Sequence, residues 1–419
     1  MAKRIELTCE SLDFQGLGVC KKDGIIYFIE NMLPTEKAEV VITRKKKNIA
    51  FGYVEKHIIK SAYRVSDKPL SYAPLNILSC EKQILFQEDI TKETIKKIAG
   101  LDVILNETIY TNHISHYRNK ITLHVRKINE RLYCGVFESG TNTLIKIEEH
   151  LLADKPINKI IKKLNQLFDD NHLMDDTLKN ITIRNSGKDV MIIYTTTKRS
   201  WKEKEIFLSN IDASSIYQNI NVDEYENLGE MNIHLKGEPY ITTSLLDLNF
   251  HLYPQTFFQV NPYVAEKLFE RLKEEVTNKI VLDAYSGAAT IGQIVSSKAS
   301  SVISVEKNLD AHKSAKESVY NNKIKNITLI NADINEVMHE LEFDIAIFDP
   351  PQSGIYKSTI HKLIEKRPEK IIYVSCNLRT LSRDITLLKE FYKIDSLTPV
   401  RMFPQTTTNE TLLVLLRKP

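Results

Sequence analysis

Three observations predict a multidomain α/β protein. With 419 residues, the chain is longer than one compact core usually organises. Its first 60 residues read as short strands separated by turn signals, the pattern of a small five-stranded β-barrel. From about residue 255 short apolar runs alternate with helical spacing. That rhythm implies a mostly parallel, Rossmann-like sheet with helices on both faces. The expected division is a barrel over 1–60, a central α+β region over 61–250 and the α/β region over 251–419. The segment 81–125 is expected to pack with the last of these.

In the first region the strands expected are Ile5 to Cys9, Gly16 to Cys20, Ile25 to Ile29, Lys37 to Thr43 and Ile49 to Val54, punctuated by Gly16, Gly18, Gly24 and Asn31 to Pro34. About half of its aromatics (Phe14, Tyr27, Phe28, Phe51, Tyr53) are expected to fill the interior. Ser61 to Ala73, with Pro69 and then Pro74, reads as a crossing between domains. Gln83 to Ala99 has helical spacing with Gly100 as its stop. Further on, 116–125 and Gly135 to Phe137 read as strand, Pro156 to Phe168 as an amphipathic helix, and Leu178 to Thr195 and Trp201 to Asn210 as further strands. Val260 to Glu275 reads as a helix with Pro262 at its first position. Strands KIVLDAYSG, SVISVEK, ITLINAD, DIAIFDPP, KIIYVSC and TLLVLLR follow, separated by helices such as Thr290 to Ser297 and Asp310 to Asn321.

Composition narrows the class. The chain is 42% hydrophobic and 26% charged, with a net charge of +3. It has no apolar signal region and no run of membrane-span length, so a cytoplasmic protein is expected. Five scattered cysteines (Cys9, Cys20, Cys80, Cys134, Cys376) form no C-x-x-C pair, which argues against a disulfide framework or a zinc site. Residues 1–70 hold 13 Lys or Arg against 9 Asp or Glu. The block Arg44 to Lys47 suits phosphates or a solvated hairpin tip equally.

Chemistry concentrates in the last region. Gly287, Ala289 and Gly292 follow a strand and open a helix, so backbone can approach a nucleotide-like ligand. Glu306 closes the next strand, where an acid can bind ribose hydroxyls. An NAD-binding domain meets these two features equally well. Asp333 ends the following strand, and Asp349-Pro350-Pro351 ends the one after it. Consecutive prolines make a stiff, donor-poor loop. Cys376 then stands where a parallel strand ends, beyond which ligands bind in open α/β sheets. A lone cysteine also packs as a small apolar residue. Glu410, just before the last strand, is a candidate base or a polar strand-start residue.

D-P-P at a fourth strand is typical of S-adenosylmethionine-dependent nucleic-acid methyltransferases. The motifs HYRNK (116–120), FFQVNP (257–262), VLDAYSGAATIG (281–292), DPPQSG (349–354), YVSCNLRTLSRD (373–384) and FPQTTTNE (403–410) occur in order. Together they resemble the RNA uridine-C5 methyltransferase family, whose members act on 23S rRNA or the tRNA T-loop. The N-terminal D-F-Q-G-L-G-V, I-Y-F-I and L-P-T-E resemble the TRAM domain, an OB-like RNA-binding barrel.

The resemblance implies a class I methyltransferase domain with Cys376 as nucleophile and Glu410 as base. It places Gln259, Tyr285, Thr290, Glu306, Asp333 and Asp349 on S-adenosylmethionine. It implies RNA, most of all 23S rRNA, as partner, because the tRNA branch generally lacks the barrel; no obligate protein partner is inferred. Three departures stand out. Only Cys80 remains where many relatives hold an iron–sulfur cluster with four cysteines, so no cluster is expected. Thr408-Asn409 replace the usual His-Val before Glu410, and Ala289 replaces a glycine.

Overall fold

The computed structural model describes residues 3–138, 141–223 and 227–419. In the C-terminal region, runs such as Ile371 to Val374 are apolar on both faces, as strands sandwiched between helices must be. The sheet order is Ile327–Ile330, Ser301–Val305, Ile280–Ala284, Ile345–Phe348, Lys370–Ser375, Glu410–Arg417, Tyr392–Val400. The first five strands are parallel, and Glu410–Arg417 is antiparallel to both neighbours. Its insertion carries the end of the chain back beside Cys376. Tyr392–Val400 is a strand the sequence did not suggest, because Pro399 argues against one. The proline is accommodated at the edge, where Ile109 N–H donates to its carbonyl at 2.9 Å.

Two clusters of buried side chains pack the sheet from opposite faces. One includes Leu268, Phe269 and Leu272 from the helix Pro262–Glu274; Asn261 caps that helix and Pro262 starts it. The other takes in Ile95 and Ala99 from the helix Cys80–Ala99, together with Leu381, Ile385 and Leu388 from Leu378–Leu388. Gly100 ends Cys80–Ala99 at φ 69°, a left-handed C-cap that glycine adopts readily.

The central sheet runs Met231–Gly237, Ser215–Ile220, Val190–Thr196, Leu178–Asn185, Lys120–Ile128, Arg131–Phe137, Leu144–Ile145. The expected run from Leu178 to Thr195 is thus two strands joined by a turn at Gly187 (φ 92°). Trp201 to Asn210 is not a strand: Lys204–Asn210 is helical. Phe207 packs among Phe168, Tyr194 and Trp201, and this tertiary aromatic cluster outweighs local β propensity.

The N-terminal sheet has six strands rather than five, in the order Lys3–Thr8, Lys37–Lys46, Ile49–Ile59, Ile25–Glu30, Gly18–Lys22, Ser11–Leu12. Its core is Leu7, Cys9, Cys20, Tyr27, Ile29, Met32, Ala38, Val40 and Ala50. Of the five aromatics named above, Tyr27 alone is buried; Phe14, Phe51 and Tyr53 are exposed. Phe28 stacks on Phe51 with ring centres 5.4 Å apart. Among the described residues, no helix is long and apolar enough to cross a membrane.

Candidate active site

A cavity of about 600 Å³ opens at the carboxyl ends of the parallel strands. All eight residues singled out above line it: Gln259, Tyr285, Thr290, Glu306, Asp333, Asp349, Cys376 and Glu410. Each reaches it by a local device. After Ile280–Ala284 the chain turns sharply through Tyr285 (φ 59°), Gly287 (φ 54°) and Ala289 (φ 54°). Nothing lies within 4 Å of a Cβ built on Gly287, so this backbone faces open space. Ala289 is buried and is not part of the lining. Its departure from glycine therefore costs backbone strain, about 1–2 kcal/mol, with no methyl in the cavity.

Asp283 anchors this turn from below. Its buried carboxylate accepts from Gly292 N–H and Ser304 Oγ, each at 2.9 Å. A Cβ on Gly292 would fall 2.3 Å from Ser304 Oγ, so only glycine fits. Glu306 is held by Gly287 N–H at 2.8 Å and Asn308 N–H at 2.7 Å. Each carboxylate oxygen has a further lone pair for a ligand hydroxyl. Asp333 accepts from Asn335 N–H at 2.9 Å. Gln259 is buried, and its carbonyl accepts from Asn119 of the HYRNK segment at 3.2 Å.

Cys376 and Glu410 come together through strand register. Ser375 pairs with Thr411 in the antiparallel ladder, which sets Cys376, the residue after Ser375, beside Glu410, the residue before Thr411. The segment leading to Glu410 is tied down from the helix Cys80–Ala99. Gln83 bonds to Leu75 O (2.9 Å), Leu78 O (2.8 Å) and both the Gln405 side chain (3.0 Å) and N–H (2.9 Å). Gln83 Oε1 also accepts from Arg401, while Gln87 donates to Val400 O (2.9 Å) and Glu410 O (3.3 Å). On the other side, Asn377 and Thr380 donate to Gln352 O at 2.9 and 3.3 Å, joining the proline loop to the cysteine loop.

The cavity is short of positive charge. Glu306, Asp333, Asp349 and Glu410 line it, with Lys307 as the single basic lining residue among the described residues. Burial pushes Asp349 up to about 7. Burial and the negative Asp349 drive Glu410 well above the usual carboxylate range. Burial, then Glu410 and Asp349, push the Cys376 thiol up to about 12. The two nearby arginines do not offset this. Arg379 lies over the Phe14 ring, and Arg383 pairs with Asp384 while donating to Ser353 O and Ile355 O. Burial and the neighbouring acids therefore favour the protonated thiol.

Sequence reasoning passed over several lining residues, among them Phe258, Lys307, Tyr356 and Phe403. Phe258 and Phe403 stand in quoted motifs and were within reach; Tyr356 arrives through a loop with no local signal. Among the described residues, no three His, Cys, Asp or Glu side chains are grouped to hold a metal ion. Cys9 and Cys20 are core residues of the N-terminal sheet and Cys134 of the central one, so they leave Cys80 without thiol partners. This donor set does not fit an iron–sulfur cluster.

Comparison with known proteins shows the family. A family model described as tRNA (uracil-5-)-methyltransferase matches residues 86–418. An uncharacterized RNA methyltransferase of Streptococcus mutans is 31% identical, covering 99% of this chain and 98% of its own length. One from Enterococcus faecalis is 32% identical, covering 98% and 96%. Among solved structures, the Pyrococcus abyssi tRNA (uracil-54, C5)-methyltransferase in complex with S-adenosyl-L-homocysteine superposes with a TM-score of 0.79 at 24% identity, covering 98% of this chain and 100% of that one. The chain belongs to the tRNA (uracil-5-)-methyltransferase family, a family of RNA methyltransferases.

Proposed function

We propose that the protein methylates C5 of a uridine in 23S rRNA from S-adenosylmethionine, giving 5-methyluridine, and does so in the cytoplasm. The observation that carries this reading is the convergence of Cys376 and Glu410 on one acid-lined cavity. Its charge favours a cationic cofactor: four carboxyls and one lysine suit a sulfonium and an ammonium, whereas a dinucleotide pyrophosphate would be repelled. The donor set fits that ligand, with Glu306 for the ribose hydroxyls, Asp333 and Tyr285 near the adenine, and Gln259, Thr290 and Asp349 toward the amino-acid end. When bound, S-adenosylmethionine supplies an electrophilic methyl group.

The protein's own residues make the uracil able to accept it. Cys376 thiolate adds to C6 of the ring, and the electron pair displaced from the C5–C6 double bond gives C5 enolate character. After C5 is methylated, Glu410 takes the C5 proton, the double bond re-forms and the thiolate leaves. A carboxyl with a raised pKa is a stronger base once ionised, which suits Glu410 to this step. Gln352 follows the proline pair where enzymes of exocyclic amines usually stack the base on an aromatic ring. That supports carbon rather than nitrogen chemistry.

The basic tip and exposed aromatics of the N-terminal sheet support an RNA-gripping role of the TRAM kind. They do not separate rRNA from tRNA. The tRNA-acting Pyrococcus abyssi protein covers 98% of this chain, so its likeness extends over the N-terminal sheet as well. That likeness favours a second reading, a tRNA T-loop uridine. Mapping 5-methyluridine in rRNA and tRNA from cells lacking the protein tests both. Loss at a 23S position supports the first reading, loss in tRNA supports the second, and unchanged 5-methyluridine in both contradicts the proposal.

A further inference from the structure

We propose that Phe14, backed by Arg379, stacks on an RNA base adjoining the target uridine at the rim of the cavity. The inference rests on the reading of the protein as an RNA uridine methyltransferase, and it names a contact from the N-terminal sheet that reaches the catalytic site.

Phe14 sits at the tip of a loop closed by its own hydrogen bonds. Asp13 N–H donates to Leu17 O at 2.9 Å, and the Asp13 carboxylate accepts from Gln15 N–H at 2.9 Å and Leu17 N–H at 2.8 Å. Gly16, at φ 83°, lets this loop close against the segment before Glu410. A Cβ there would lie 3.1 Å from Thr407 Cγ2 and 3.3 Å from Leu75 Cδ2. The next residue, Thr408, lines the cavity. Yet Phe14 remains 51% exposed.

The cation behind it comes from the cysteine loop. The Arg379 guanidinium lies 4.7 Å from the Phe14 ring centre. Arg379 is exposed and three residues beyond Cys376, and its neighbour Thr380 is bonded to Gln352 at the cavity lining. A single exposed aromatic on a surface is ordinary. What distinguishes this one is a tightly held loop, a cation against the ring and a nucleophile three residues from that cation.

The chemistry calls for such a surface. C5 and C6 of a uridine within a stacked strand cannot enter a cavity, so the base must leave the stack. The base beside it then loses a stacking partner. An aromatic face at the rim replaces that partner without reading sequence, since every base has a π-face. Arg379 adds a positive charge that attracts the adjoining phosphate.

A bland role is also available: the Phe14–Arg379 contact could simply clip the N-terminal sheet to the helix Leu378–Leu388. Full-length Phe14→Leu and Phe14→Trp proteins separate the two. Leucine keeps apolar volume but no π-face, whereas tryptophan keeps the face. Unmodified transcripts of 23S rRNA and of tRNA serve as probes, using whichever the wild-type protein methylates. Phe14→Leu should raise the KM for RNA by about fivefold or more, and Phe14→Trp should retain wild-type KM. Affinity for S-adenosylhomocysteine and the melting temperature should not move in either. Wild-type KM in Phe14→Leu overturns the inference, as does an equal loss in both variants together with a lowered melting temperature. Wild-type protein that methylates neither transcript overturns the proposed function, and this inference with it.

Discussion

The C-terminal cavity and the N-terminal sheet are built on opposite electrostatic plans. The cavity is acidic, with Lys307 as its basic lining residue among the described residues, and burial pushes Asp349, Glu410 and the Cys376 thiol toward their neutral forms. The N-terminal sheet exposes Arg44 to Lys47 at a hairpin tip, next to the open rings of Phe51 and Tyr53. One region suits a small cation and a neutral pyrimidine; the other suits a polyanion. Placing phosphate-binding charge in the cavity would weaken its hold on a cationic cofactor. Placing the acids on the sheet would repel RNA. On the proposed reading, the separation lets each region serve its own ligand.

Breaking the cavity side should have the largest effects. Cys376→Ala should lower turnover at least about a thousandfold, with S-adenosylhomocysteine binding retained by calorimetry. Unaltered methylation would assign the attack to another group. Glu410→Gln should slow product release by about 10²–10⁴-fold and accumulate a covalent protein–RNA species on a denaturing gel. Normal release from that variant would place the base elsewhere.

Protonation sharpens the contrast next. Burial pushes Asp349 up to about 7, and its ionised form is the one that attracts a cation. Affinity for S-adenosylmethionine should therefore rise as pH climbs from about 6 to 8, by at most about tenfold per pH unit. Asp349→Asn should bind more weakly and flatten this profile. A fall in wild-type affinity over that range would contradict the acid-cavity account. Effects on the N-terminal sheet should be smaller. Replacing Arg44, Lys45, Lys46 and Lys47 with glutamine should weaken RNA binding and reduce the salt slope by up to about 3 to 4. An unchanged slope would confine the block to solvent. Iron assays of purified protein should find no stoichiometric metal.

The two regions also differed in how readily they could be read. In the α/β region apolar runs buried on both faces leave a strong signal, and each ends in a chemically distinctive residue, so Glu306, Asp333, Asp349 and Cys376 were visible at strand ends. What stayed hidden was contact between distant segments. Nothing local announces that Glu410 lies opposite Cys376, since that depends on the last strand inserting antiparallel beside Lys370–Ser375. The Gln83–Arg401–Gln405 network joins residues more than 300 positions apart. Trp201 to Asn210 misled because its aromatics promote β structure locally, whereas tertiary packing makes Lys204–Asn210 a helix. In the N-terminal sheet the strands were legible, but which aromatics faced inward was not, because interior volume is set by partners across the sheet.

The central claim is that Cys376 attacks C6 of the target uridine. It is tested most directly by incubating the protein and S-adenosylmethionine with RNA carrying 5-fluorouridine. Fluorine at C5 cannot leave as a proton, so an addition intermediate has no route to release. The account predicts a stable covalent complex whose cross-linked peptide, identified by mass spectrometry, contains Cys376 and is lost in Cys376→Ala. A cross-link at another residue, or methylation of uridine RNA with no trapped complex on the fluorinated one, would contradict it.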